Sequence, residues 1–393
     1  MPPVRLADVL AWIDAHVASL DPEIVPIFEA AGRILAEDLV ADMDLPPFGR
    51  AAEDGFALRS AETIGASAYN PLPFRLAPAA GDLPANSAVC VTSGDTLPVG
   101  TDAVVRMDHA ELTTEEMVTI IDPVVAGHGV EQAGCHCRRG CNLVVAGRRL
   151  SPADVAVLAS AGFARLSVTR RPRVHCVFVA ERVIECGRQL PSACVYDANG
   201  PMLQALLHRD DGLQVAQSHV ARHQDAIAEA LMTPGADAVL VAGGTGSGTT
   251  DCAAAAMAAV GEVAMHGVAI RPGQTTGIGR AGRLPAVLLP GKPADCLWGY
   301  ELIAGPVIRR LGGRVSQLPF PSRTMTTARK IVSEIGTLEI HAVRCLDEST
   351  VEPMASFSEA GLMPAVRGDG FVLVPEPSEG YPHGATVSVY FHG

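Results

Sequence analysis

Two glycine-rich loops, each at the end of an apolar run, hold the residue types in this chain that could do chemistry. Ala236-Asp-Ala-Val-Leu-Val-Ala242 leads into Gly243-Gly-Thr-Gly-Ser-Gly-Thr-Thr-Asp251, and Pro285-Ala-Val-Leu-Leu289 leads into Pro290-Gly-Lys-Pro293. Between them lies His266-Gly-Val-Ala-Ile-Arg-Pro-Gly-Gln274. A buried strand ending in Gly243-Gly244-Thr245-Gly246 delivers backbone N–H groups to a helix start. Glycine lets a ligand approach closely and the helix N-terminus favours negative charge, so the combination cradles phosphate. A glycine-rich turn taken alone is a weak signal.

The surrounding pattern predicts the scaffold for these loops. From Arg173 onward, apolar strands at Val174–Val179, Leu213–Ala216, Asp237–Ala242, Val263–Ile270 and Val287–Leu289 alternate with helices at Pro201–Leu207, Gln224–Leu231, Thr250–Ala259 and Pro293–Leu311. Such alternation argues for a parallel α/β sheet. Ligands of such sheets bind outside the carboxyl ends of the strands, where both glycine loops fall. Upstream, apolar spacings of three and four predict helices over Val4–Leu20 and Phe28–Ala41. Short apolar runs such as Ser87–Thr92, Ala103–Met107 and Met117–Ile121 predict a small β module. Ser151 and Pro152 open a further helix as N-cap and N1, which ends near Ala161 and Gly162. After Gly312-Gly313, short alternating strands at Leu338–Val343, Gly370–Val374 and Thr386–Phe391 predict a separate C-terminal β domain.

Composition limits the partners. At 393 residues the chain calls for more than one core, and with 48% hydrophobic residues it can bury them. A formal net charge of -13 argues against nucleic acid or an anionic membrane surface. It leaves room for a small anionic ligand, which needs only local donors. No apolar run reaches the roughly 18 residues of a membrane span. The first residues lack the basic and apolar regions of a secretory signal. The ten cysteines therefore read as reduced thiols of a cytoplasmic protein, with Cys90, Cys176 and Cys194, which sit in apolar runs, expected in the core.

An ordered set of segments resembles the molybdopterin molybdenumtransferase family, that of MoeA and the gephyrin E domain. The set comprises Glu29–Asp38, Asp44-Leu-Pro-Pro-Phe48, Asp54-Gly-Phe-Ala57, Ser93-Gly94, Leu97–Val105, Gly147–Pro152, Tyr196-Asp-Ala-Asn199, Gly243–Asp251, Pro272-Gly273 and Leu289-Pro-Gly-Lys-Pro293. Each piece is weak; their colinear order over nearly the whole chain is specific. The resemblance implies an elongated multidomain α/β plus β protein. Residues 1–168 would form the N-terminal region (helical over 1–45 and 137–168, with a β module inserted at about 46–136). Residues 169–314 would form the doubly wound α/β molybdopterin-binding domain, and 315–393 a barrel-like β domain. It further implies a homodimer whose cleft lies between the α/β domain of one subunit and the terminal regions of the other. The implied reaction inserts molybdate into the dithiolene of adenylylated molybdopterin, with Mg²⁺-dependent release of AMP. Molybdoenzymes or other cofactor-biosynthesis proteins are the macromolecular partners it suggests.

Carried onto this chain, the family pattern assigns Asp54, Ser93, Asp197 and Asp251 to catalysis. It assigns Gly243, Gly244, Thr245, Gly246, Ser247, Gly248, Arg271, Pro290, Gly291, Lys292 and Pro293 to ligand binding, and Asp197, Asp251 and Glu181 to Mg²⁺. Hard carboxylates beside phosphates suit that ion, and Arg271 can clamp phosphate or molybdate bidentately. The chain departs from the pattern in several places. The family's Ser-Thr-Gly-Asp-Glu-Leu turn reads Phe178-Val-Ala-Glu-Arg-Val183, its Lys-Pro-Gly-Lys reads Arg271-Pro-Gly-Gln274, and its Leu-Pro-Gly-Asn-Pro reads Leu289-Pro-Gly-Lys-Pro293. Hence a second reading stands beside the enzyme: a diverged relative that binds the pterin, or another phosphorylated ligand, without turnover. Plainer roles are open too. Asp54 and Ser93 could shape turns, Asp197 and Asp251 could open helices, and His266 could be a packed histidine. Cys135, His136, Cys137 and Cys141 lack paired zinc-ligand spacing and suit a surface turn.

Overall fold

The computed structural model describes residues 3–79, 82–246, 248 and 251–392. Its two compact units are Ile24–Val168, and Met1–Glu23 together with Thr169–Gly393.

The first unit carries a six-stranded sheet in the order Ala103–Arg106, Gly55–Leu58, Ser87–Val91, Leu72–Leu76, Met117–Ile120 and Ala110–Thr114. Neighbours are antiparallel except Leu72–Leu76 beside Ser87–Val91. Phe56, Leu58, Phe74, Val105, Val118 and Ile120 fill its core. Gly55 is obligatory there, since a Cβ would lie 2.0 Å from the Val105 carbonyl oxygen. The helix at Pro152–Ser160 forms as expected, and Ser151 and Asp154 complete a reciprocal capping box.

The segment Phe28–Ala41 is not a helix. Only a short 3₁₀ turn forms, at Ile27–Glu29. Gly32 takes a left-handed φ of 79°, and beyond it the backbone bonds sideways. Gly32 N–H donates to Leu150, Leu35 N–H to Arg148 and Ala36 N–H to Ser167. Adjacent Ile34 and Leu35 are both buried. A lone helix of that length is marginal in water, so pairing with neighbouring chain wins. Cys90 is also exposed rather than core, standing on the outer face of its strand, whereas Cys176 is buried as expected and Cys194 is half-buried.

In the second unit α1 (Leu6–His16) is shorter than its apolar pattern, because Val4 bridges to Val268 instead. The α/β sheet is built from β1 (Arg173–Val179), β2 (Leu213–Val220), β3 (Ala238–Ala242), β4 (Gly261–His266), β6 (Gly277–Ala281) and β7 (Leu284–Leu289). Its order is β2-β1-β3-β7-β6-β4. The first four strands are parallel, β6 runs antiparallel to both its neighbours β7 and β4, and the sheet is mixed. Helices α2 (Asn199–Arg209), α3 (Gln224–Leu231) and α4 (Ala253–Val260) follow β1, β2 and β3. The run expected as one strand over Val263–Ile270 divides at Gly267, where φ is 84°. Its second half, β5 (Ile270–Arg271), leaves the sheet and pairs in parallel with a strand of the C-terminal domain.

That domain contains β8 (Ser322–Thr327), β9 (Leu338–Cys345), β10 (Thr350–Pro353), β11 (Gly370–Val374) and β12 (Thr386–Phe391). The pairings β9–β10, β10–β8, β8–β12, β12–β11 and β11–β9 close a five-stranded ring around Met325, Val343, Val351, Val372 and Val389. Closure removes the free edges that short strands would otherwise expose.

The helical run Pro293–Leu311 comprises α5 (Pro293–Gly299), a π turn at Tyr300–Ala304 and α6 (Gly305–Leu311). Pro306 lacks the N–H that would bond the Leu302 carbonyl, and the ladder widens just before it. The π turn carries Tyr300 and Glu301 into a buried ionic network. Arg209 grips Glu301 through two bonds of 2.7 and 2.8 Å, and Arg309 and the Tyr300 hydroxyl donate to Asp210 at 2.8 and 3.2 Å. Asp210 and Arg309 are 0% and 1% exposed. Burial opposes the charge on Arg209, but Glu301 and Asp210 overcome it and hold the guanidinium above its ordinary range. Removing one partner of such a set strands the others, so Asp210→Ala should cost about 3–5 kcal/mol in denaturant unfolding of the purified protein. A loss under about 1 kcal/mol would show that the network is screened like a surface pair.

His175, His341 and His392 are each held below the usual 6.5 by burial. The unfolded chain therefore takes up these protons first as pH falls. Stability should be full above pH 6.5 and decline below it. In thermal melts from pH 7 to 5, His175→Gln should reduce that decline; an unchanged profile would remove His175 from the account.

Candidate functional site

The order β2-β1-β3 means that the chain leaves β1 first to one side and then to the other. The carboxyl ends of β1 and β3 therefore flank a topological switch point, the position where open α/β sheets bind ligands. Val179 ends β1 and Gly243 follows β3. They touch so closely that a Cβ on Gly243 would lie 2.5 Å from the Val179 carbonyl oxygen, and Gly243 and Gly244 take φ values of 100° and 66°. The second glycine loop follows β7 at the same edge. Gly243 N–H donates to Leu289 O at 2.9 Å, and a Cβ on Gly291 would meet the Gly243 Cα at 3.4 Å. Both loops are thus in contact, and at position 243 only glycine fits.

The donors of the first loop divide into two groups. Gly243 N–H is committed to Leu289, and Gly248 N–H donates to Asp251 Oδ2 at 3.2 Å. The amides of Gly244, Thr245 and Gly246 have no hydrogen-bond partner among the described residues. They form a run of three consecutive donors beside the helix start at Ala253. Thr245 is 3% exposed, its hydroxyl pairs with that of Thr275 at 3.1 Å, and its carbonyl accepts from His266 Nε2 at 3.0 Å. Ser247 lies outside the described residues, as does Thr250, where the helix was expected to begin. Asp251 folds back onto its own loop, and its Oδ2 lies where it would stand 2.4 Å from a Cβ on Gly246. Its carboxylate braces the loop rather than capping the helix, whose N-cap is Cys252 with no side-chain cap bond.

Asp197 behaves alike on the neighbouring turn, where its Oδ1 accepts Gly200 N–H at 2.9 Å. Two residues on, Asn199 donates from Nδ2 to Gly291 O at 2.9 Å and ties this turn to the second glycine loop. Beneath them Cys296 is fully buried, and burial, with Cys176, Asp197 and Asp295 adding to it, raises its thiol well above the usual range. Burial pushes Cys176 up to about 12. Neither sulfur supplies a thiolate nucleophile near neutral pH.

Two clefts open at this edge. One, of about 660 Å³, is lined by Glu185, Cys186, Asp197, Gln204, Gln217 and His219. The other, of about 560 Å³, lies between the second glycine loop and the β barrel and is lined by Arg271, Gln274, Lys292, Asp295, Glu339 and Ser356 among others. Arg271 is not a free clamp: its guanidinium meets Glu334 at 2.6 Å, with both side chains substantially exposed. An anion could recruit Arg271 from such a pair at little cost. Lys292, just ahead of Pro293 at the first position of α5, has no carboxylate within ion-pair distance among the described residues. Pro290 packs behind the loop against Gly299.

Glu181 is exposed on the turn after β1 and does not line the cleft that holds Asp197. Among the described residues, no three His, Cys, Asp or Glu side chains converge as a metal site. The cysteines of the 135–141 turn are free thiols. In the Ile24–Val168 unit, Asp54 and Ser93 do come together: Asp54 Oδ1 accepts Ser93 N–H at 2.8 Å, and Ser93 Oγ donates to Ala52 O at 3.0 Å. Asn199, Thr275 and Glu334 were not singled out from sequence. Asn199 lay within a quoted motif, but its bond crosses 92 positions, and Glu334 reaches Arg271 from the barrel. No local spacing announces either contact.

Comparison with known proteins places this geometry. Residues 4–162 match the family described as the MoeA N-terminal region (domain I and II), and residues 182–310 match a "probable molybdopterin binding domain". The chain is 26% identical over 413 aligned positions to a Staphylococcus aureus molybdopterin molybdenumtransferase, covering 98% of this chain and 95% of that protein. It is 27% identical over 379 positions to a Staphylococcus epidermidis protein of the same name, covering 92% and 89%. The crystal structure of a molybdopterin biosynthesis MoeA protein from Pyrococcus horikosii superposes over the full length of both chains, with a TM-score of 0.81 and 27% identity. Two domain matches in order, relatives aligned nearly end to end and a shared full-length fold leave one conclusion: the chain belongs to the MoeA family, the molybdopterin molybdenumtransferases.

Proposed function

We propose that this protein works in molybdenum cofactor biosynthesis, inserting molybdate into the dithiolene of adenylylated molybdopterin with release of AMP. The observation that carries the reading is the run of amides at Gly244–Gly246 that have no partner among the described residues, set at the switch point and beside a cleft that presents Arg271 and Lys292. The amides suit phosphate oxygens, which they can hold without a mobile side chain. Lys292 and Arg271 suit an oxyanion approaching from the barrel side. The names of the full-length relatives support the same chemistry.

In this reading Asp197 and Asp251 hold magnesium, each through carboxylate oxygen left over from its own loop. Mg²⁺ asks for only one or two carboxylates when substrate phosphates complete its shell, so two hard acids at this edge fit it without a three-acid cage. Bound there, the ion would neutralise phosphate charge as AMP leaves. Glu181 is left out because it is exposed and apart from that cleft. The chain's own residues orient the ligand: the amides fix the phosphate, Asn199 fixes the Asp197 turn against the second loop, and Asp54 and Ser93 are retained as matches to the family pattern. A cytoplasmic homodimer serving molybdoenzymes or other cofactor-biosynthesis proteins completes the proposal. Among the described residues no helix is long and apolar enough to cross a membrane.

The test is rescue of molybdoenzyme activity in a bacterial strain lacking its own insertase. The native chain should restore activity and Asp251→Asn should abolish it. Failure of the native chain, with pterin binding retained, would favour the ligand-binding reading instead. Unchanged rescue by Asp251→Asn would remove that carboxylate from the chemistry.

A further inference from the structure

The amides at Gly244–Gly246 bind an anion only if their N–H bonds face it. Two contacts from a single segment reach Thr245, and one of them falls on its carbonyl. His266 ends β4, and its Nε2 lies 3.0 Å from the Thr245 carbonyl oxygen. A carbonyl can only accept, so Nε2 carries the proton. Nine residues on, Thr275 pairs with the Thr245 hydroxyl at 3.1 Å. The ring has room because residue 277, opposite His266 in the β4–β6 register, is glycine. A Cβ there would lie 2.8 Å from His266 Cδ2.

The Thr245–Gly246 peptide is trans, the cis bonds being Leu45–Pro46 and Arg271–Pro272. In a trans peptide the carbonyl and the following N–H point in opposite directions. Holding the Thr245 carbonyl toward His266 therefore turns the Gly246 N–H away from β4. That amide has no partner among the described residues. Without the imidazole the peptide could rotate and present its carbonyl to the anion, which would repel it. Thr245 would keep only its hydroxyl anchor, and this does not fix the peptide plane.

We propose that His266 is a positioning residue of the anion-binding loop, fixing the Gly246 amide toward a phosphate of the ligand by holding the Thr245 carbonyl. This rests on the phosphate-binding reading of the loop and goes beyond it by naming the side chain that orients the donor. His266 touches neither phosphate nor pterin in this account, and its effect passes entirely through one peptide group.

The experiment uses the full-length protein with adenylylated molybdopterin and molybdate, following AMP release, with AMP also titrated as an inhibitor. His266→Phe keeps the ring shape but loses the donor. It should raise KM and the AMP inhibition constant about tenfold, the loss of one amide–phosphate bond, with kcat changed less than about twofold. His266→Gln places an amide nitrogen near the position of Nε2 and should restore both constants to within about threefold. A purely structural role would lower Tm and the active fraction, leaving KM alone. The assignment is overturned if His266→Phe matches the native protein in KM and AMP inhibition, or if His266→Gln is as defective as His266→Phe. A native protein that neither releases AMP nor is inhibited by it would overturn the phosphate reading itself, and the assignment with it. That result is distinguishable because no variant is then needed to see it.

Discussion

A single hydrogen bond, from the Gly243 amide to the Leu289 carbonyl at 2.9 Å, joins the ends of two parallel strands where both glycine loops begin. Parallel neighbours deliver their carboxyl ends to one edge, and β1, β3 and β7 do so side by side. For the loops leaving them to meet, the side chain at position 243 must vanish: a Cβ on Gly243 would lie 2.5 Å from the Val179 carbonyl oxygen, while Gly291 packs against Gly243 at ordinary contact distance. The rest of the edge depends on this close approach. It lets Asn199 reach the Gly291 carbonyl from the turn that carries Asp197, and it sets the first loop where three of its amides have no partner among the described residues.

The electrostatics of the edge are balanced rather than strongly positive. Arg271 and Lys292 line one cleft, but Asp295 and Glu339 line it too, and Glu334 already meets Arg271. Asp197 and Asp251 spend carboxylate oxygens on their own turns. In the proposed site an anion would therefore be held less by net charge than by directed donors, consistent with a chain whose overall charge is -13. Directed donors need fixed peptide planes, and the contacts at Thr245 and Asn199 supply them. The buried network of Arg209, Asp210, Glu301 and Arg309 stiffens the opposite end of the same helices.

Much of this was legible in the residues. The alternation of strands and helices after Arg173 gave the α/β domain, Ser151-Pro152 gave the helix start, and the ordered motifs gave the family. What escaped was non-local. Phe28–Ala41 has helical spacing, yet Gly32 and pairing with residues 148–150 and 167 override it. The β6 strand, Gly277–Ala281, is glycine-rich and turns the sheet antiparallel, which apolar counting cannot reveal. Gly243 looks like a donor equal to its neighbours, but its amide is used by Leu289 across the sheet. Arg271 reads as a free cation until the barrel brings Glu334 to it. Sequence shows which groups are available; contacts between distant segments decide which remain free.

The central claim is that this edge turns over a phosphate-bearing pterin rather than only holding it. Its most direct test is AMP release by the purified protein from adenylylated molybdopterin, with and without molybdate. The account predicts Mg²⁺-dependent release of one AMP per pterin, accelerated by molybdate and accompanied by molybdenum in the pterin product. Tight binding of adenylylated molybdopterin with no AMP released at any molybdate concentration would contradict it.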